Sequence, residues 1–334
     1  MRGEDDTSPR LIAGQRPTLD AYDADIIILA LNRLLETTEA IKSALSQRGL
    51  AFHVTILDQG SEPETLDVLT RTFAKTRNLA LYASPKNFGV AGGRNLATAL
   101  GHGQIILALD NDATFSHAWI AARACRAFRY NPALGALGFG ILAADGLTPD
   151  KSSWGYPERL LPRFGERFDT TTFVGAGHAI RRITWGAAGG YDPSFFFTWE
   201  EYDFCLKAIA LNWRIEYDGS LTIRHKVSPD ARIGWDAARM THFVRNRLLI
   251  GRKWGASWLG LAPRMLGYLV KAMRNGCFPA ALEGIAAAFQ AAPPQRRRMT
   301  PAMRHYLYLN ETRYRGSWPE RLRREVLGHL KTSP

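Results

Sequence analysis

Apolar and polar residues alternate in blocks along the first 115 residues. Residues 25–31 (DIIILAL) form an unbroken apolar run, as expected of a strand covered on both faces. Residues 36–49 carry apolar positions at helical spacing and stop at Gly49. The alternation continues with a strand at 53–57 (HVTIL), a helix at 62–75, a short strand at 79–82, a helix at 91–100 and a strand at 104–109 (QIILAL). Short links between such elements predict an α/β domain with a mostly parallel central sheet flanked by helices. Residues 134–142 read as a further strand broken by glycines, and 144–172 as a long surface loop. Strands are expected at 173–180 and 213–217, with a helix at 200–212 between them. Beyond Trp235 the pattern is helical, punctuated by Pro263, Pro279, Pro293, Pro294 and Pro301. No repeat of 20–50 residues is present.

In parallel α/β sheets, ligands bind beyond the carboxyl ends of the strands. Here those ends carry Asn32-Arg33, Asp58-Gln59-Gly60-Ser61, the stretch from Asn87 to Asn95, and Asp110-Asn111-Asp112. The two aspartates suit one hard divalent cation, Mg2+ or Mn2+; alternatively one caps the next helix and the other is solvated. The glycine-rich stretch matches neither a P-loop nor a dinucleotide fingerprint. It either opens a helix close to a ligand or makes a tight turn. Trp199-Glu200-Glu201-Tyr202-Asp203 follows the apolar Phe195-Phe196-Phe197. Three carboxylates at a helix start suit the helix dipole, and one held against an aromatic wall keeps a raised pKa and can act as a base. His225 stands between Arg224 and Lys226, either as a structural histidine or as a ligand to metal or pyrophosphate.

Taken in order, Asn32-Arg33, Asp58 to Ser61, Asn87-x-Gly89-x-x-Gly92-Gly93-x-Asn95, Asp110-x-Asp112, Gly189-Gly190-Tyr191-Asp192, Trp199-Glu200-Glu201-x-Asp203 and His225 resemble glycosyltransferase family 2 over roughly residues 25–255. Within it, the run from Phe196 to Phe204 and the Arg245-Asn246-Arg247 segment are similar to rhamnosyltransferase-like and galactofuranosyltransferase-like members. The resemblance implies the GT-A fold and an inverting, metal-dependent transfer from a nucleoside-diphosphate sugar, with dTDP-rhamnose or a UDP-hexose as donor. The acceptor it implies is a hydroxyl on a glycan, a lipid-linked or a small molecule, in bacterial glycan or glycoconjugate biosynthesis. It also implies Glu201 as catalytic base, with Glu200 and Asp203 as alternates, and Asp110, Asp112 and His225 as metal ligands. Donor contacts fall to Asn32, Arg33, Asp58, Asn87, Gly92, Arg94, Asn95, Asp110 and Trp199. Ala30-Leu31 and Gln59-Gly60 depart from the commonest family residues, as does Glu at the base position.

Charge divides the chain. The net charge is +12, but residues 251–334 hold 15 Lys and Arg against 4 Asp and Glu, while residues 1–250 are nearly neutral at 28 against 27. The expected organisation is therefore a loose polar arm at 1–22, a catalytic domain at 23–255 and a basic helical extension at 256–334. From Trp258 to Arg274 apolar residues recur near helical spacing with Arg264, Lys271 and Arg274 among them. That suits either an interfacial helix at an anionic membrane or acceptor, or a stripe packed on the catalytic domain. A nucleic-acid partner would explain the basic tail but not the acidic rim, and none is expected; an inactive scaffold of the same fold would explain the architecture but not both acidic clusters. Three scattered cysteines, no apolar leader and no spanning apolar run place the expected home in a reducing cytoplasm, peripheral to the inner membrane face.

Overall fold

The computed structural model describes residues 8–18, 22–226, 237–292 and 294–327. One ten-stranded mixed sheet carries the fold, in the order β1-β4-β3-β2-β5-β9-β7-β10-β6, with β8 paired to β10 outside that path. The strands are β1 (Arg10–Gly14), β2 (Tyr22–Ala30), β3 (Phe52–Asp58), β4 (Leu79–Ala83), β5 (Gly103–Asp110), β6 (Ala113–Phe115), β7 (Leu134–Leu142), β8 (Arg167–Asp169), β9 (Gly177–Arg181) and β10 (Arg214–His225). The helices around them are α1 (Leu34–Leu45), α2 (Pro63–Phe73), α3 (Gly89–Ala99), α4 (Ile120–Tyr130), α5 (Arg182–Ala188) and α6 (Glu200–Ala210). Then follow α7 (Ala237–Lys253), α8 (Trp258–Arg274), α9 (Phe278–Gln290), α10 (Pro301–Asn310) and α11 (Trp318–Arg321).

The expected parallel unit is present: β2 pairs in parallel with both β3 and β5, and β3 with β4. Its apolar runs are buried because helices cover both faces; Ile26, Ile28, Val54, Ile56 and Leu107 enter one core, and Ile27, Leu57, Ala80 and Ala108 the other. Beyond β5 the sheet is mixed, because β9 runs antiparallel to both β5 and β7. Strand β9 therefore starts beside the carboxyl end of β5, with Gly177 opposite Leu109, and runs away from the rim where the polar residues gather.

Three expectations are corrected. Within the segment expected to be a loose arm, Arg10–Gly14 is a strand paired antiparallel with β4, closing an otherwise open edge; residues 1–7 and 19–21 of that arm lie outside the described residues. The loop at 144–172 contains two short 3-10 turns and β8, which pairs with the start of β10. The strand expected at 213–217 runs on to His225, so this histidine is the last residue of β10 rather than part of a following loop. Residues 227–236, including the start expected for the C-terminal helices at 235, lie outside the described residues.

Helix α7 faces two ways. Leu249, Ile250 and Trp254 join the core beneath α6, while Met240, Val244 and Leu248 pack with Leu261, Ala272, Ala280, Ala281 and Ala288 of α8 and α9. The extension therefore shares a core with the sheet domain through α7. Met303 of α10 returns to the core under α6. No helix among the described residues is long and apolar enough to cross a membrane.

Candidate active site

Three potential metal ligands meet where β5 and β10 end. Asp110, Asp112 and His225 each offer one atom, all within 4.8 Å of one another. The register explains the meeting: β6, immediately after Asp112, folds back antiparallel to β10 with Ala113 opposite His225, and the Lys226 amide donates to the Asp112 carbonyl at 2.7 Å. His225 Nε2 lies 3.3 Å from Asp112 Oδ1. Its Nδ1 faces Asp150 Oδ2 at 3.4 Å and Ser153 Oγ at 3.2 Å. Burial would lower the imidazole pKa, but hydrogen bonds to the two carboxylates outweigh it and raise it to about 9. Burial also opposes the charge on Asp112, yet the His225 bond and the Arg33 guanidinium hold that carboxyl below the usual range. Arg33 reaches Asp112 as an ion pair.

Asp150 was not visible in the sequence. It lies 75 residues from His225 in a stretch without periodicity, and the register of β7 and β10 brings it there. A carboxylate on the far nitrogen of a metal-ligating histidine fixes its ring orientation, so Asp150 supplies the support such a ligand needs.

Asn32 and Arg33 both adopt left-handed backbone angles, φ 55° and 54°, which cost free energy outside glycine. The bend is held by neighbours. The Asn32 amide donates to Ser61 Oγ at 2.7 Å, Asn32 Oδ1 accepts from the Glu62 amide at 2.8 Å, and Thr37 Oγ1 donates to the Asn32 carbonyl at 3.1 Å. This strained corner aims Arg33 across the rim at Asp112.

Several residues expected at the donor make hydrogen bonds that build the rim. Arg94 is buried: it donates to the Ile27 carbonyl at 2.9 Å, the Leu109 carbonyl at 3.2 Å and Asp110 Oδ1 at 2.8 Å. It shares the sheet-facing stripe of α3 with Ala91, Ala97 and Thr98, so helical phase turns it inward. Asn95 spends both amide atoms on Tyr191, donating to its carbonyl at 2.9 Å and accepting from its amide at 3.0 Å. Asp58 is fully buried and accepts from the Gly60 and Ser61 amides at 3.1 and 3.0 Å and from the Ser61 hydroxyl. Asn87 Oδ1 accepts from the Gly89 amide at 2.8 Å, capping the entry to α3. Gly92 admits no side chain, since a Cβ would sit 2.9 Å from Phe88 Cβ.

The acidic cluster at the start of α6 separates into three environments. Asp203 is buried in ion pairs, 2.8 Å from Lys253 Nζ and 3.5 Å from Lys207 Nζ. Glu200 is also buried, its Oε2 without a hydrogen bond, and burial with the neighbouring Glu201 raises its pKa far above the carboxylate range. Of the three, Glu201 alone is partly exposed. Desolvation, with a smaller push from the Asp110 charge, raises its pKa to about 7. Its carboxylate lies over Gly175, where a Cβ would come within 2.4 Å of Oε1. The carbonyl of the next residue, Ala176, accepts from the Asp110 amide at 3.1 Å. Glu201 and the Asp110–Asp112–His225 cluster thus share one rim.

A second strained corner leads into α6. Thr198 and Trp199 both have φ 71°. Fully buried Asn246 of α7 donates from Nδ2 to the Phe197 and Thr198 carbonyls at 2.9 and 3.0 Å. Trp199 Nε1 donates to the Phe243 carbonyl at 3.1 Å, and Arg247 lies over the rings of Trp199 and Tyr202 at 5.3 and 5.2 Å. The Phe196 carbonyl accepts from the Val90 amide at 2.8 Å, joining this corner to the glycine-rich turn. The expected role of Trp199 is thus supplemented by one in shaping α6. Asn246→Ala leaves two buried carbonyls unsatisfied and frees a strained pair, so it is expected to lower stability by about 1–3 kcal/mol. A reduced denaturation midpoint at unchanged slope checks this; a midpoint equal to the parent's would show that the corner holds itself.

Comparison with known proteins follows the same lines. The model of Glycosyl transferase family 2 matches residues 25–184. A glucosyl-dolichyl phosphate glucuronosyltransferase of Haloferax volcanii is 26% identical over 174 residues, 49% of this chain and 54% of that protein. The chain thus spans about half the length of that relative. Among solved structures, a mannosyltransferase from Pyrobaculum calidifontis in complex with GDP-Man and Mn2+ is similar with TM-score 0.55 and 17% identity, covering 95% of this chain and 88% of its own. GalNAc-T7 with UDP, GalNAc and Mn2+ is similar with TM-score 0.59 and 14% identity, covering 82% and 58%. At these identities the likeness is one of fold.

Proposed function

The chain belongs, through residues 25–184, to glycosyl transferase family 2 with a GT-A fold, and on that premise we propose that it is a divalent-metal-dependent, inverting glycosyltransferase acting on a nucleoside-diphosphate sugar. The observation that carries this reading is the gathering of Asp110, Asp112 and His225 within 4.8 Å on the rim that also holds the Glu201 carboxylate.

Two carboxylates and an imidazole fit a divalent cation of the Mg2+ or Mn2+ kind, and His225, backed by Asp150, tilts the set toward Mn2+. A cation held there supplies Lewis-acid neutralisation of the leaving diphosphate. Asp110, Asp112 and His225 would hold it; Arg94 fixes Asp110 from inside the sheet, and Arg33 and His225 orient Asp112. Glu201 takes the proton of the acceptor hydroxyl, a role that its raised pKa and its half-buried position on the rim suit. A single displacement with the base opposite the leaving group inverts the anomeric centre and needs no covalent intermediate.

The donor is a sugar nucleotide, with dTDP-rhamnose or a UDP-hexose expected; GDP-Man and UDP in the complexes of similar fold support the class rather than the base. Of the acceptor classes, the lipid-linked one is favoured by the name of the Haloferax relative. A place in bacterial glycan assembly, on the cytoplasmic side and peripheral to the membrane, completes the reading.

A thermal-shift screen of sugar nucleotides, with and without Mn2+, tests it. Binding at a hundredfold excess over Kd stabilises the fold by about 2.7 kcal/mol, so the cognate donor is expected to raise Tm only when metal is present. The absence of a shift with every nucleotide in the presence of Mn2+ would sink the reading.

A further inference from the structure

Helices α8 and α9 form a hairpin whose inner face is satisfied and whose outer face is apolar. Leu261 and Ala272 of α8, with Ala280, Ala281 and Ala288 of α9, pack against α7. On the other side of α8, Leu259, Leu266 and Met273 recur every seven residues and are 85%, 63% and 63% exposed. Phe278, Leu282 and Phe289 of α9 are exposed as well. The two faces adjoin, since the rings of Trp258 and Phe289 lie 4.1 Å apart. Clustered apolar exposure of this size marks an interaction surface.

Its charge indicates what covers it. Helix α8 carries Arg264, Lys271 and Arg274 and no acidic residue, and Arg252 lies over the Trp258 ring at 4.9 Å. Glu283 on α9 is 3.2 Å from the Thr241 hydroxyl that donates to it. Packing this face against a second copy would bring the same cations together. An anionic surface with an apolar interior satisfies both components.

The face also leads to the candidate site. Phe243 of α7 has Trp199 on one side at 5.0 Å and Tyr268 of α8 on the other at 5.7 Å. Arg264 lies near enough to Arg247, which covers Trp199 and Tyr202, for their charges to repel. The surface thus begins beside the helix that carries Glu201.

We propose that the outer face of the α8–α9 hairpin docks on an anionic lipid bilayer, with Leu259, Leu266, Met273 and Phe289 in the acyl boundary and the exposed Arg274, on the flank of that face, among the lipid phosphates. Docking of this kind combines apolar insertion with electrostatic attraction and loses strength in salt. It brings the mouth of the site to the surface from which an amphiphilic acceptor is presented. The lipid contact stands on the hairpin alone and does not require the transfer reading.

The test is co-sedimentation of the full chain with vesicles of phosphatidylcholine alone or mixed with phosphatidylglycerol, at low and high salt. Binding is expected with the anionic vesicles at low salt, weakening by about five-fold for each cation removed, as in Arg274→Ala. Leu266→Glu, at an exposed position outside the site, is expected to weaken binding by at least about ten-fold while leaving Tm and the donor-induced thermal shift unchanged. Equal partitioning into both lipid types, no binding at low salt, or parent-like binding by Leu266→Glu overturns the proposal. So does a dimer that Leu266→Glu dissolves without any vesicle binding. A donor shift that persists while vesicle binding fails leaves the proposed activity standing and removes only the membrane surface.

Discussion

Glu201→Gln is expected to lower turnover by about 10²–10⁴-fold while donor affinity stays close to that of the parent. The substitution keeps the volume of the side chain and removes the proton acceptor. It also keeps the group above Gly175, where the backbone leaves room for it and for little else. Glu200 is buried with its pKa far above the carboxylate range, and Asp203 is paired with Lys253 and Lys207. The pH profile gives a second readout. The Glu201 pKa is raised to about 7, so the charged, proton-accepting form dominates above that pH and is lost as pH falls through it. Activity limited by this base rises through about pH 7 and levels off above it, and the Gln variant lacks that rise. Near-normal turnover in Glu201→Gln would remove the base from this helix.

Chelation is expected to abolish transfer, with activity restored by Mn2+ or Mg2+. Asp112→Asn is expected to weaken metal and donor together, because the carboxylate that pairs with Arg33 and His225, and that would help hold the cation, is lost. A loss of about 100-fold or more in kcat/KM, partly recovered by raising the metal concentration, is the anticipated pattern. Full activity after exhaustive chelation would dismiss the metal, whatever Asp112→Asn does.

The parallel unit and its rim were legible because each strand is a continuous apolar run followed at once by polar residues. Burial on both faces demands the first and ligand binding at strand ends the second. The clustered aspartates were legible for the same reason. Side-chain direction was not. Arg94 and Asn95 sit in a glycine-rich segment that invites a phosphate, but one faces the sheet beside Ala91 and the other is consumed by the Tyr191 backbone. Asp150 carries no local signal, because its role exists only once β7 and β10 are in register. Helix α4 is a different case. Ile120, Ala121, Ala124, Cys125 and Phe128 are buried at helical spacing, so its periodic signal does stand in the sequence, and the helix is additional to the expected elements. The three-residue strands β6 and β8 are too short for any period to reveal them.

The contact between α10 and α6 bears on how such a protein can change over evolutionary time. Tyr202, next to Glu201, donates its hydroxyl to Glu311 at 3.1 Å, and Thr171 donates to the same carboxylate at 3.0 Å. The Ile215 amide donates to the Tyr306 hydroxyl oxygen at 3.0 Å. The matched family segment ends at residue 184, yet Glu201, His225, Asn246 and Glu311 all lie beyond it. Inheritance of the sheet alone therefore does not confer the finished rim. The C-terminal helices are not interchangeable cargo: exchanging them for those of a relative to acquire a new acceptor also resets the seating of the helix that carries Glu201. Substitutions in the C-terminal helices therefore act on the seating of α6 as well.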